Sequence, residues 1–146
     1  MTATNHALSG ALIGAILPLP VAIPAAFMSH FVLDKIPHYG IDDAKRNSSK
    51  VYKAVVFGDV ILALAIGVAA VLYHKWSMLA GGVAAYSPDA TLVRYYFQNG
   101  HSFNIQPKNG FMKFHLAMQY ERPWGIIPEA ALAAVMLPFV ILKLIN

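Results

Sequence analysis

"VYKAVVFGDVILALAIGVAAVLY", residues 51–73, decides the fold. Past Lys53 its only charged residue is Asp59, and the next ionisable group is His74. A helix of roughly 20 apolar residues crosses the hydrocarbon core of a bilayer, so this run reads as a spanning helix. The composition agrees. The chain is 58% hydrophobic and 12% charged, against about 25% charged in ordinary soluble domains. The reading is an all-α integral membrane protein, a single membrane-embedded helical domain over residues 1–146. It combines a short helical hairpin, spanning helices and a surface amphipathic helix.

The stretch before this helix, "PHYGIDDAKRNSS" at 37–49, is polar and reads as a loop, with Ser48 or Ser49 as the N-cap of the spanning helix. Lys35, Lys45, Arg46, Lys50 and Lys53 flank it. Short loops rich in Lys and Arg stay on the cytoplasmic side. The basic balance is therefore topological and calls for no nucleic acid. Further upstream, Ala7 to Ile36 is apolar but broken by Pro18, Pro20 and Pro24. Proline removes a helix hydrogen bond and disfavours the α conformation before it. Two short helices are expected, about 6–17 and 21–36, forming a hairpin that enters the membrane and returns. Gly10 and Gly14 form a G-x-x-x-G step suited to close helix contact. No basic residue precedes Lys35, so the apolar start is not expected to be a cleaved secretory signal. With no cysteine, disulfides and thiolate ligands are excluded.

Downstream, "HKW" at 74–76 marks an interface, and a second short helix is expected over about 77–87. "TLVRYYFQNG" reads as a surface helix, "HSFNIQPKNG" as a loop and "FMKFHLAMQY" as an amphipathic helix on the membrane surface. The last apolar run, from Trp124, reads as a spanning helix kinked at Pro138, with Lys143 near its end. A faint internal echo accompanies this plan: helix, turn, helix and then an aspartate, once ending at Asp34 and again at Asp89.

With the 35–53 region cytoplasmic, the N-terminus falls on the same side. Arg94, Lys108, Lys113 and Arg122 put residues 88–122 there too. This topology gathers His6, His30, Asp34, His38, Asp59, Asp89, His115 and Glu129 at one membrane face and leaves His74 on the other. In "SHFVLDKIPHYG", residues 29–40, His30, Asp34 and His38 recur every four residues. Side chains four apart share one helix face, about 5–6 Å between Cβ atoms. Imidazole with carboxylate suits zinc, iron, manganese or nickel. His6, His30, Asp34 and His38 are the candidate metal ligands. Asp59 and Asp89 are the candidate catalytic carboxylates, Asp59 because a charge within a spanning helix is costly and needs a partner. Lys35, Arg94 and His115 are the candidate substrate-binding residues, the first two able to pair with a phosphate. Asp89 in "SPDAT" also reads as an N-cap, and Glu129, after Pro128, as a carboxylate complementing a helix dipole. No phosphate-binding glycine loop, G-x-S-x-G elbow or H-E-x-x-H helix is present.

"NHALSGALIGAIL", from Asn5, resembles the opening segment of small bacterial inner-membrane proteins described as membrane-bound metal-dependent hydrolases, a group also likened to zinc-dependent phospholipase C. His6 and Gly10 match its H-x-x-x-G element. Asp34 and His38 in "LDKIPH" look like its later acidic-plus-histidine element, and Pro88–Asp89 like its Pro-Asp signature. The group's P-D-x-D-H string is not present intact. The resemblance covers mainly residues 5–40 and, more weakly, 80–90. It implies a multi-pass inner-membrane protein with zinc as cofactor, hydrolysing a lipid or another amphiphilic phosphoester at the cytoplasmic face. Membrane lipids are the expected partners, with room for a homo-oligomer. Two other classes fit the same residues. One is a small accessory or assembly subunit of a larger membrane complex, its acidic groups paired with a partner chain. The other is an ion- or proton-conducting protein.

Overall fold

The computed structural model describes residues 1–146. The chain is mostly helical: α1 Ala3–Ile16, α2 Leu19–Asp34, α3 Asp43–Arg46, α4 Lys50–Leu72, α5 Trp76–Tyr86, α6 Ala90–Gln98, α7 Gly110–Met118 and α8 Ile126–Ile145. The only sheet is a two-residue parallel pairing of β1, His38–Tyr39, with β2, Glu121–Arg122.

Prolines shape the first hairpin as expected, its bounds shifted by one to three residues. Pro18 is the N-cap of α2 and Pro20 sits in its first turn, where a missing N–H costs nothing. Pro24 lies inside α2. The helix stops at Asp34 rather than Ile36, because Pro37 disfavours the α conformation at the residue before it. His38 therefore leaves the helix face shared by His30 and Asp34 and enters β1. The residue 37–49 loop also holds the short α3. Ser49 Oγ accepts the Tyr52 N–H, capping α4.

α1 is the central helix and packs on α5, α2, α8 and α4. Its closest neighbour is α5, with Gly10 against Gly81 and Gly14 against Ser77, so close that a Cβ on either glycine would meet backbone. The apolar core joins Leu8 and Ala11 to Ala70, Met78, Val140 and Leu144.

Two helical segments are long and apolar enough to cross a membrane, Lys50–Leu72 and Pro123–Ile145. Only 6% of the most apolar window of α4 is buried within the molecule, and 17% of that of the last helix. Apart from those that reach the core, such as Ala70, Val140 and Leu144, most of their apolar side chains face away from the rest of the chain. α8 runs through Pro138 without ending. α7 buries Met112 and His115 and exposes Phe111 and Phe114.

Candidate metal centre

The β1–β2 pairing builds the site. His38 N–H donates to the Tyr120 carbonyl, Gly40 N–H to Arg122, and Tyr120 N–H to the Asp34 carbonyl. These bonds tie the chain leaving α7 to the chain leaving α2. They set the α7 face carrying His115, and Gln119 one turn later, against the α2 face carrying His30 and Asp34. α1 supplies His6, whose ring stacks on His30 with centroids 3.9 Å apart. The 3₁₀ turn at Ser87–Asp89, after α5, delivers Asp89.

Five metal-ligating side chains meet there. His30 Nε2 lies 2.8 Å from His115 Nε2 and 3.1 Å from Asp34 Oδ2, and His115 Nε2 lies 3.4 Å from the same oxygen. His6 Nε2 is 3.3 Å from Asp34 Oδ1. Asp89 Oδ1 is 3.4 Å from His115 Nε2 and 3.8 Å from His30 Nε2. His6, His30, His115 and Asp34 are fully buried, whereas the Asp89 side chain is 15% exposed. Two overlapping ligand sets result, His6–His30–Asp34 and His30–Asp89–His115, each with its ligand atoms within 4.8 Å of one another.

The residues fit a divalent ion on three counts. Tetrahedral zinc with bonds of 2.0–2.1 Å holds its ligands about 3.3 Å apart, close to the spacing of His30, His115 and Asp34. His30 Nδ1 donates to the Ala85 carbonyl at 2.8 Å, which leaves the Nε2 lone pair directed into the cluster, the outer-sphere arrangement of ligating histidines. Both ring nitrogens of His6 are buried without a hydrogen-bond partner. Such groups are rare in folded proteins and call for an explanation; a cation supplies one for Nε2.

Polar neighbours complete the surround. Gln119 Nε2 donates to Asp34 Oδ2 at 3.0 Å, and Gln119 Oε1 lies 2.8 Å from His38 Nε2. The Met1 amino group also contacts Asp34. His38 therefore reaches the cluster only through Gln119. Burial, reinforced by the positive Met1 amine, pushes its pKa down. Burial raises the pKa of Glu121, with nearby Arg46 opposing.

The structure separates the remaining candidates from this cluster. Asp59 accepts the Ala3 N–H at 2.5 Å and the Thr4 N–H at 3.0 Å, and so caps the start of α1. Glu129 sits in the first turn of α8, as expected, and also accepts the Thr2 N–H at 2.7 Å at the same place. Lys35 donates to the Ala117 carbonyl from the exposed end of α2. Arg94 is exposed on α6. His115, expected at a substrate-binding position, instead faces His30, Asp34 and Asp89 as a ligand would. Asp89, one of the expected catalytic carboxylates, is in the cluster and also lines a cavity of about 330 Å³. Sequence reasoning missed Gln119, although its place four residues after His115 was a usable signal.

Neither protein-family models nor curated proteins nor solved structures yield a significant match to this chain.

Proposed function

We propose that the chain is a membrane-bound metal-dependent hydrolase acting at the cytoplasmic face of the inner membrane on a lipid or other amphiphilic phosphoester. The observation that carries this reading is the convergence of three buried imidazoles and a buried carboxylate on one point, beside a partly exposed second carboxylate that faces a cavity. Structural metal sites are closed, whereas catalytic ones keep an accessible side. Asp89 provides that side.

In this reading His6, His30, His115 and Asp34 would hold the ion. Zinc suits a set of nitrogen and oxygen donors at this spacing. When bound, such an ion acidifies water toward a neutral pKa and polarises a phosphoryl or acyl oxygen. Asp89 takes the proton from the attacking water and returns it to the leaving oxygen. Gln119, bonded to Asp34, fixes the orientation of that carboxylate, and His38 fixes Gln119. The two long apolar segments, largely unburied by the chain itself, support the membrane setting. They leave the cluster at the helix ends, where the scissile group of a lipid lies.

The accessory-subunit reading rests on acidic groups awaiting a partner chain. Asp59 and Glu129 instead bond the N-terminus of α1, and Asp34 has partners within the chain, which favours the hydrolase reading. The test is hydrolysis of a phospholipid-like phosphodiester by the detergent-solubilised protein, stripped with chelator and reloaded with zinc. Turnover is expected only after reloading. Asp89→Asn should keep the metal and lose about 100-fold or more in rate, the scale of a general base. Metal-replete wild type without turnover on phosphodiesters or carboxylic esters would contradict the reading.

A further inference from the structure

Next to the metal centre lies the cavity of about 330 Å³, within the size range of small-molecule sites. Its lining is mainly apolar and comes from α4, α6 and the segment around Phe103. Val60, Phe57, Val93, Tyr96 and Phe103 form much of the wall, and Asp89, His38 and Gln119 are its polar members on the cluster side. Aromatic contacts stiffen the wall, with Tyr96 and Phe103 centroids 4.7 Å apart and Phe57 and Phe103 6.3 Å apart. Phe57 is 48% exposed and Phe97 65% exposed, so part of the cavity wall also lies at the surface of the chain, beside the apolar face of α4. One chamber thus joins three features: an apolar wall, a polar member belonging to the metal cluster, and an exposed side beside a helix long enough to span a bilayer.

We propose that this chamber binds the hydrocarbon chain of an amphiphile whose polar head lies at Asp89. The inference rests on the hydrolase reading for what happens to the head, but the chamber's affinity for a chain stands apart from it. An apolar chain gains roughly 0.8 kcal/mol for each methylene buried, and the α4 and α6 lining from Val55 to Phe97 carries one charged residue, Asp59, the other charged lining residues being Arg46, Asp89 and Glu121. Entry beside α4 lets the chain pass from the bilayer to the chamber without crossing water. Selectivity for the apolar part of the substrate then lies in the chamber, and selectivity for the head in the metal centre.

The test uses a single-chain alkyl phosphate bearing a photoreactive diazirine at its chain end, added to the full-length protein in detergent, with metal content measured on the same samples. Crosslinks should map to residues 55–60 and 92–97 and be displaced by excess unreactive alkyl phosphate. Val60→Trp and Val93→Trp, each filling the chamber, should cut displaceable labelling about ten-fold or more, equivalent to about 1.4 kcal/mol, with metal content unchanged. Ile61→Trp, on the exposed side of α4 and outside the lining, should leave labelling intact. Displaceable labelling that both tryptophans leave unchanged, or labelling spread over the exposed face of α8, would overturn the inference. Equal displacement by inorganic phosphate would also overturn it, since the head alone would then account for binding. Labelling of the chamber in a metal-free protein would leave the chain site standing and remove the hydrolase reading. Bound metal without displaceable labelling would do the reverse.

Discussion

At the residue scale, the cluster explains why an imidazole and a carboxylate, His30 and Asp34, stand at the end of an apolar helix. His30 and Asp34 face one way because they are four apart on α2, and the partner they meet is His115, eighty-five residues after His30. Gln119 bonds Asp34 from outside the ligand set. Outer partners of metal ligands typically matter 10–100-fold in affinity. Gln119→Leu should therefore weaken zinc affinity by about ten-fold without abolishing it, measured by competition with a chromogenic chelator. The ligands bind metal only when deprotonated, so affinity should fall as pH drops below neutrality. A flat affinity between neutral and mildly acidic pH would count against imidazole ligation. His30 and Asp34 were legible in the sequence from their spacing. His38 stands four residues further on, but Pro37 turns the chain out of the helix, and His38 reaches the cluster only through Gln119. His115 was visible only as a lone histidine, since its meeting with His30 depends on the β1–β2 pairing, which two-residue strands do not announce.

At the element scale, α1 is held by carboxylates at its start and by glycines along its length. Asp59 accepts two N–H groups from its first turn. An unpaired buried donor costs about 1–3 kcal/mol. Asp59→Asn keeps one acceptor oxygen but turns an amino group toward the other N–H. The variant should lose stability on that scale, read as a lower Tm in detergent, while keeping its metal. Loss of metal with unchanged Tm would return Asp59 to the site. Gly10 faces the Gly81 backbone with no room for a side chain. Gly10→Val should cost about 1–3 kcal/mol through overpacking, again read by thermal unfolding in detergent. Unchanged stability would mean that α1 and α5 do not meet there. The G-x-x-x-G step and the proline breaks made this packing and the helix hairpin legible, because both act through local backbone geometry. The carboxylate caps were not legible, since Asp59 reaches α1 across more than fifty residues.

At the scale of the whole molecule, the segments on either side of α4 and α5 meet. Asn47 Nδ2 donates to Ser102 Oγ, and Phe103 N–H donates to Asn47 Oδ1. The basic loop and the segment before α7 therefore sit together. Single cysteines at Ser49 and Ser102 in the membrane-inserted protein should be labelled from the same side, the cytoplasmic one, by an impermeant thiol reagent. Labelling from opposite sides would break the assembly that joins α7 to α2. The helical plan followed from apolar length and proline position, and the meeting of His6, His30, Asp34, Asp89 and His115 was expected from lysine and arginine placement. The proposed metal centre is tested by elemental analysis of the protein purified without chelator, comparing wild type with His115→Ala and His74→Ala. A transition metal near stoichiometry is expected in wild type and in His74→Ala, with a sharp loss in His115→Ala. A well-folded wild type with no stoichiometric metal, even after zinc is supplied, would contradict it.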